Sequence, residues 1–346
     1  MKRKVISWVL GAAVSAIAAT AASAGTLDDV KQKGFLQCGV TTGLMGFAMP
    51  DSANNWTGLD VDFCRAVAAA IFNDPTKVKF TPLSAKERFT ALQSGEIDVL
   101  SRNTTWTMSR DTSLGLKFAG VMYYDGQGFM VKKSLGVDSA LKLDGATVCT
   151  QTGTTTELNL ADYFKANNMK YQVVAIENQD EVRTAYEEGR CDIFTTDQSG
   201  LYAERLVLKA PDEHMVLPEI ISKEPLGPLV RQGDDAWFNV IKWTYFALLN
   251  AEELGVTQAN VTEMAASSTN PEIKRLLGAK SEDGSASGFG TGIGLPEEWV
   301  VNIVKATGNY AEIFERNVGL NTPLKIARGK NALWKDGGLQ YAPPIR

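Results

Sequence analysis

The sequence is poor in the side chains that build metal centres. Its 346 residues include a single histidine, His214, and four cysteines, none of which form a C-x-x-C pair. Protein zinc sites depend mainly on closely spaced cysteine and histidine ligands, so this composition argues against a metal site. We expect no cofactor either. His214 lies shortly before Pro218, and we expect it to be a solvated residue of a loop.

Clusters of positive charge are also missing from the body of the chain. The formal net charge is −5, and no run of lysine and arginine occurs after residue 4. An acidic protein without a basic patch is a poor ligand for nucleic acid or for an anionic membrane surface, so neither is expected as a partner.

Only one long apolar run is present, and it lies at the N-terminus. Met1–Lys4 is basic, Val5–Thr20 is apolar and rich in alanine, and Ala22-Ser23-Ala24 offers a small-residue cleavage site. This pattern predicts a secretory signal peptide cleaved after Ala24 and a periplasmic protein. A short membrane anchor is the alternative, but the run is shorter than the roughly 20 residues that a spanning helix needs. Without the three basic residues of this segment, the formal net charge changes from −5 to −8.

The mature chain of about 320 residues is longer than most single domains, which favours two lobes. Strand and helix patterns alternate along it. Gly58–Phe72 is typical of an amphipathic helix, VKFTPL of a strand, and KERFTALQSGEIDVL of a helix followed by a strand. This alternation predicts an α/β fold with doubly wound, mostly parallel sheets.

Four cysteines in an exported protein predict two disulfides, for which three pairings are possible. Cys38 and Cys64 fall in the first half of the proposed fold, and Cys149 and Cys191 fall in the second half. We favour the pairings Cys38–Cys64 and Cys149–Cys191, because a bridge between lobes would lock a hinge. Four buried free thiols are the alternative.

The stretch ALQSGEIDVLSRNTTWTMSR, residues 91–110, is the most informative part of the chain. A short apolar strand ends at Leu100, and small polar residues follow it from Ser101 to Thr105. The carboxyl ends of strands in open α/β sheets are where ligands bind. Arg110 closes the run and can offer a planar guanidinium to a carboxylate. We therefore expect half of a site for a small zwitterion here, with the other half in a second lobe.

A second region shows the same arrangement. GATVCTQTG, residues 145–153, predicts a strand and a glycine turn, and Thr154–Glu157 predicts a helix start. An internal repetition of residue types supports two similar lobes: Ala91, Gly95, Asp98 and Asn103 have counterparts at the same spacing in Ala185, Gly189, Asp192 and Asp197.

Two extended segments, 125–134 and 227–237, are predicted to cross between the lobes and to form a hinge. The predicted division is a signal peptide at 1–24, lobe 1 at 25–129 and 230–256, lobe 2 at 130–229, and a C-terminal extension at 257–346. Within that extension, Ser281–Gly294 predicts a loop and Pro296–Gly319 predicts a pair of helices. The sequence suggests no mechanism for the extension.

Five motifs in order, GLDVDF, ALQSGEID, T-W-T-x-x-R, QTGTTTE and GRCDIFTTDQS, resemble the extracellular solute-binding proteins of polar-amino-acid ABC transporters. The resemblance covers residues 26–255. The tail, with GNYAEIFERNVG and ARGKNALW, is similar to the longer subfamily for general L-amino-acid uptake, which includes Glu/Gln/Asp/Asn-binding members. This implies a two-lobed type II periplasmic binding protein fold with a two-strand hinge. It also implies a monomer that captures an L-amino acid and delivers it to a membrane permease.

The resemblance also implies roles for individual residues. Arg110 matches the family's carboxylate-binding arginine, and Asp197 matches its ammonium-binding aspartate. The remaining predicted contacts are Asn103 and Thr105 for the ammonium, and the turn of Gly153, Thr154 and Thr155 for the carboxylate, through free N–H groups at a helix start.

The predicted wall of the pocket departs from many relatives. Leu44 stands where they place a tyrosine that stacks on the ligand, so specificity cannot be transferred from them. Phe47 and Trp106 could belong either to the wall or to the core. The segment Lys86-Glu87-Arg88 could reach a ligand side chain, but a solvated helix start is the more common role.

Several alternatives remain open at this level. Arg110 could be a surface residue paired with Asp111, and Asp197 could cap a helix from Gln198 to Leu206. No catalytic residue is expected, but an enzyme on the same fold, such as a dehydratase of a prephenate-like substrate, is the rival class. A ligand-sensing protein is a third possibility.

Overall fold

The computed structural model describes residues 25–280 and 284–346. The predicted signal peptide, Met1–Ala24, lies outside them, as do the first three residues of the predicted loop Ser281–Gly294. No helix within the described ranges is long and apolar enough to cross a membrane.

Strands and helices alternate along the first two thirds of the chain, and helices dominate the last third. The strands are β1 (Leu36–Thr41), β2 (Met49–Pro50), β3 (Trp56–Thr57), β4 (Val78–Leu83), β5 (Val99–Leu100), β6 (Leu116–Phe118), β7 (Tyr123–Asp125), β8 (Gln127–Lys132), β9 (Ala146–Gln151), β10 (Tyr171–Ile176), β11 (Ile193–Asp197), β12 (His214–Val216), β13 (Glu224–Leu226) and β14 (Leu229–Arg231). The helices are α1 (Thr26–Lys33), α2 (Leu59–Phe72), α3 (Arg88–Ser94), α4 (Met108–Ser113), α5 (Thr155–Ala166), α6 (Gln179–Glu187), α7 (Gln198–Leu206), α8 (Asp235–Glu253), α9 (Val261–Ser267), α10 (Pro271–Leu276), α11 (Trp299–Thr307) and α12 (Tyr310–Asn317).

Two five-stranded sheets define the two lobes. The sheet of lobe one has the order β4-β1-β5-β14-β6, and the sheet of lobe two has the order β10-β9-β11-β8-β12. In each sheet three neighbouring strands are parallel, the fourth strand is antiparallel to them, and the fifth is antiparallel to the fourth. The predicted doubly wound α/β fold with two lobes is therefore confirmed.

The internal repetition corresponds to a shared structural device. Asp98, just before β5, accepts a hydrogen bond from the backbone of Gln37 at 2.7 Å and so joins β5 to β1. Asp192, just before β11, accepts one from the backbone of Thr147 at 2.8 Å and joins β11 to β9. The two aspartates hold equivalent strands in equivalent positions, so the strand ends that follow them occupy matching places in the two lobes.

A pair of short antiparallel strands, β7 and β13, connects the lobes. Asp125 is opposite Glu224, and Tyr123 is opposite Leu226. Each of these two strands lies close to one of the segments that were predicted to cross between the lobes. The segment predicted as the second crossing, 227–237, instead supplies β14 to the sheet of lobe one and the start of α8.

Each lobe contains one disulfide, as predicted. Cys38 of β1 is bonded to Cys64 of α2, and Cys149 of β9 is bonded to Cys191 beside β11. Both bonds therefore tie a helix or loop to a strand of its own sheet, and neither crosses the cleft.

The prediction that His214 is solvated was wrong. His214 begins β12 and is buried, because its ring packs beside Tyr186. The Tyr186 hydroxyl lies 2.8 Å from Nδ1 of the histidine. Strand β12 has only three residues, which is too short for a sequence pattern to show that His214 begins an edge strand.

The C-terminal extension packs on lobe one and completes its core. α11 and α12 bury apolar side chains in the same cluster as α2 and α8. Arg316 of α12 donates to Asp62 of α2 at 2.9 Å, and the Tyr310 hydroxyl donates to the carbonyl of Met122 at 2.7 Å. The expected helical extension is confirmed, and it is an integral part of lobe one.

Candidate functional site

A narrow cleft lies between the carboxyl ends of the parallel strands of the two lobes. It encloses a cavity of about 40 Å³. Residues from both sheets line this cavity: Thr41, Leu44, Arg88, Arg102, Asn103, Thr105, Gln151, Thr154, Thr155, Thr156, Gln179, Thr196, Asp197 and Gly200.

The lobes touch across this cleft, so the arrangement is a closed one. The hydroxyls of Thr105 and Thr155, one from each lobe, are 3.4 Å apart. Lys86 and Glu177 form an ion pair at 3.8 Å near the rim. Gly153 lies directly against Lys86, and its φ of +75° favours glycine at this turn.

On the lobe-one side, a buried carboxylate shapes the loop after β5. Asp60 of α2 accepts hydrogen bonds from the Ser101 hydroxyl and from the backbone N–H of Asn103, both at 2.9 Å. Burial raises the pKa of Asp60 to about 6. These bonds hold Asn103 at a positive φ of 31°. Its Oδ1 is buried, lacks a hydrogen-bond partner and belongs to a residue that lines the cavity.

Three buried arginines surround the same loop. Arg88 donates to the Thr104 hydroxyl at 3.2 Å, Arg102 donates to the carbonyl of Leu83 at 3.0 Å, and Arg110 donates to the carbonyl of Thr105 at 2.9 Å. Burial lowers the pKa of all three, and it lowers the pKa of Arg102 to about 10. The loop is thus a site of concentrated positive charge.

Arg88 and Arg110 differ from expectation in where they lie. Arg88 is buried at the start of α3, lines the cavity and has an Nε without a hydrogen-bond partner. The expectation of a solvated helix start is wrong for this residue, although Lys86 and Glu87 are exposed. Arg110 lies behind Thr105, packs over the ring of Phe89 and does not line the closed cavity.

On the lobe-two side, the first turn of α5 faces the cleft. Thr154 occupies its N-cap position, but no side chain caps the helix, because the Thr154 hydroxyl donates to the carbonyl of Gln151 at 2.7 Å. Uncapped N–H groups at a helix start are suited to an anionic group.

Asp197 ends β11 at the position where Asn103 follows β5. It precedes α7, yet its carboxylate does not cap that helix. It is buried and lines the cavity. Burial raises its pKa well above the usual range, and the nearby Asp125 and Glu224 raise it further, while Arg88 and Arg110 act in the opposite direction.

The predicted site residues therefore divide into two groups. Asn103, Thr105, Thr154, Thr155, Asp197 and Leu44 line the cavity. Phe47 is packed in the core against Tyr123, and the half-exposed Trp106 stacks on Phe118 with ring centroids 5.2 Å apart. Neither lines the cavity, and neither do Gly153 and Arg110.

Arg88, Arg102, Gln151 and Gln179 also line the cavity but were not in the predicted site. Arg88 and Gln151 carry a usable signal, because each lies where the carboxyl end of a parallel strand meets the following turn or helix. Gln179 has no such signal, since it comes from α6 through tertiary packing.

Two lobes, a two-strand connection and a charged cleft at the strand ends define the class of periplasmic binding proteins. The chain belongs to the bacterial extracellular solute-binding proteins, family 3, whose model matches residues 36–260. This confirms the predicted family, and the protein is periplasmic.

Named relatives match essentially the full chain. The general L-amino acid-binding periplasmic protein AapJ of Rhizobium johnstonii is 66% identical over 100% of both chains. The glutamate/glutamine/aspartate/asparagine-binding protein BztA of Rhodobacter capsulatus is 55% identical over 96% of this chain and 97% of its own. A periplasmic binding protein from Brucella ovis, solved with glutathione bound, is 65% identical with a TM-score of 0.91, covering 93% of this chain and 100% of that one.

Proposed function

We propose that this protein binds L-amino acids, including those with polar or acidic side chains, and presents them to the permease of an ABC transporter by hinge closure. The observation that carries the proposal is a buried donor and a buried acceptor at one cavity, neither of which has a hydrogen-bond partner. The donor is Nε of Arg88, and the acceptor is Oδ1 of Asn103. A zwitterion supplies the partner that each of them lacks.

The charges around the cavity assign the two ends of such a ligand. Asp197 and Asn103 face the ammonium, while the backbone N–H groups at the start of α5 and the arginines face the carboxylate. Charge-assisted hydrogen bonds contribute roughly 1.5–3 kcal/mol each before the costs of closure are subtracted. Since the partners belong to different lobes, only the closed form makes all of these contacts, and the ligand therefore shifts the hinge equilibrium.

We propose Arg110 as a carboxylate contact that becomes available when the ligand enters. Its guanidinium donates through Nη1 to Thr105, which leaves its other N–H groups for an anion. Arg110→Ala should therefore abolish L-amino-acid binding in titration calorimetry without unfolding the protein. Lys117→Ala, which removes a partly exposed cation of β6, is the matched control and should bind normally. An unchanged affinity of Arg110→Ala would refute its role.

A thermal-shift screen of all L-amino acids would identify the preferred ligands, because bound ligand raises the melting temperature. We infer that the cleft binds its ligand without turning it over, since His214 lies against Tyr186 and does not line the cleft. Appearance of product from a prephenate-like substrate would contradict this.

A peptide with a glutamyl end is the second candidate ligand. A cavity of about 260 Å³ lies beyond Leu44, between the loop 42–50 of lobe one and α6 and α7 of lobe two. Leu44 lines both this cavity and the cleft. This second cavity could receive the distal part of glutathione, the molecule bound to the Brucella relative. If so, Leu44→Trp should weaken glutathione binding and spare L-glutamate in calorimetry; equal losses for both would argue against it.

A further inference from the structure

Glu224 lies at the meeting point of the two lobes and the hinge. It is the first residue of β13, lies opposite Asp125 of β7, and is only 1% exposed. It is not among the residues that line the cavity. No sequence motif singles it out.

The carboxylate of Glu224 accepts four hydrogen bonds. Its Oε2 accepts from the hydroxyls of Thr105 at 2.5 Å and Thr155 at 2.9 Å. Its Oε1 accepts from Nδ2 of Asn159 at 2.7 Å and from the hydroxyl of Ser222 at 2.6 Å. A carboxylate oxygen accepts in each of these four bonds, so every one of them is directed toward Glu224.

That direction decides what the two threonines can offer to a ligand. A hydroxyl has one proton and two acceptor lone pairs. Thr105 and Thr155 both line the cleft and both give their proton to Glu224. Toward the cleft they therefore present acceptors only, which suits an ammonium and does not suit a carboxylate.

The same carboxylate also joins the lobes. On the lobe-one side, the loop that carries Thr105 is paired with β13, because Trp106 donates to the carbonyl of Pro225 at 2.8 Å and Gly227 donates to that of Thr104 at 3.0 Å. Thr155 and Asn159 belong to α5 of lobe two, one helical turn apart. Their bonds to Glu224 form only when α5 lies against the hinge.

We propose that Glu224 is a positioning residue for ligand recognition: on closure it takes the hydroxyl protons of one threonine from each lobe and so turns both oxygens into acceptors for the ligand's α-ammonium. This rests on the proposed function. It predicts that Glu224 discriminates between ligands that carry an ammonium group and those that lack one.

The test is Glu224→Gln, measured with L-glutamate and with glutarate, which has both carboxylates but no ammonium. Nδ2 of Asn159 donates, so the oxygen of the new amide will face Asn159 and Ser222, and its nitrogen will face the two threonines. The nitrogen donates, and both hydroxyls then turn their protons toward the cleft. We expect the affinity for L-glutamate to fall about 10- to 100-fold, and that for glutarate to stay within about threefold.

Glu219→Gln is the matched control. It is the same substitution on the same segment of chain, and its carboxylate accepts from Ser139 at 2.6 Å in lobe two. Both affinities should be unchanged. Glutarate binding is followed by melting temperature at high ligand concentration, so that weak binding is still measurable.

Equal losses for the two ligands would show that Glu224 only holds the lobes together, and an unchanged L-glutamate affinity would show no role; either result overturns the proposal. If Glu224→Gln does not fold, Thr155→Val removes one of the two hydroxyl acceptors and keeps Glu224. It should weaken the binding of L-glutamate more than that of glutarate, and an equal or absent effect on the two ligands again overturns the proposal. Failure of the wild-type protein to bind any L-amino acid would instead refute the proposed function.

Discussion

Asp197 is a buried carboxyl group whose environment opposes its own ionisation. Its raised native pKa means that the ligand-free protein holds a proton at this residue which the unfolded chain has lost. The stability that Asp197 supplies is therefore fully present below the unfolded pKa of about 3.9, and it is lost as pH rises through the native value. A ligand ammonium favours the ionised form, so binding should release a proton.

Asp197→Asn should consequently separate stability from function. Because asparagine is uncharged without taking up a proton, the ligand-free variant should be more stable than the wild type at neutral pH by about 1–3 kcal/mol, and the difference should vanish near pH 4. Binding of L-glutamate should weaken about 10- to 100-fold. Chemical denaturation at two pH values and calorimetry measure these effects.

Asp162→Asn, which changes an exposed carboxylate of α5, is the control and should alter neither quantity. A ligand-free Asp197→Asn protein that is less stable than the wild type at neutral pH would contradict this account of the buried carboxyl group.

At the scale of residues, the sequence could identify the strand ends that carry Asn103 and Asp197, because a repeated spacing placed them there. It could not show that Arg88 is buried while its neighbours Lys86 and Glu87 are exposed. All three have the same polar character in sequence, and what distinguishes Arg88 is that it packs over the ring of Phe89 and donates to the Thr104 hydroxyl.

At the scale of elements, the C-terminal segment holds one strand of the hinge. The side chain of Asn331 is buried and pairs with the backbone of Tyr124 in β7. Its Oδ1 accepts from the N–H of Tyr124 at 2.7 Å, and its Nδ2 donates to the carbonyl at 3.2 Å. The side-chain amide of Gln340 donates to the carbonyl of Val121, two residues before β7, at 3.1 Å. These contacts hold β7 on lobe one, whereas Asp125 at its other end accepts from Ser199 of lobe two.

Asn331→Ala should leave the N–H and the carbonyl of Tyr124 without partners and lower the free energy of unfolding by about 1–3 kcal/mol. Because Asn331 touches no residue of the cleft, contacts to the bound ligand should be preserved. Chemical denaturation measures the loss, and Asn321→Ala, at an exposed position of the same segment, should be neutral. A neutral Asn331→Ala would mean that β7 does not depend on this contact.

The longer strands and most helices could be predicted because their apolar patterns extend over six or more residues. The hinge could be placed only approximately. β7 and β13 have three residues each, which is too short for a period to show, and their pairing depends on residues about 100 positions apart.

At the scale of the molecule, the sequence suggested no mechanism for the extension 257–346, but the extension supplies part of the lobe-one core. Val300 and Ile303 of α11 and Phe314 of α12 are fully buried in the cluster that contains α2. Removing them would expose a large apolar surface, at a cost of about 25 cal/mol per Å².

A chain of residues 25–256 should therefore lack a cooperative unfolding transition and should not bind L-glutamate. A chain of residues 25–342, which lacks only the largely exposed last residues, is the control and should fold. Circular dichroism melting and calorimetry distinguish the two. A folded, binding-competent 25–256 chain would show that the extension is dispensable.

The same architecture sets an order of events for a chain that crosses a membrane with its N-terminus first. The sheet of lobe two is built from residues 127–216, whereas lobe one joins residues as distant as Asp62 and Arg316, which are 254 positions apart. Contacts between distant residues form late, because the loop between them must be closed first. Lobe two should thus fold while the last helices are still in transit. The first hundred residues to emerge must wait for the final ones, and during that interval the apolar surface of α2 is available to chaperones.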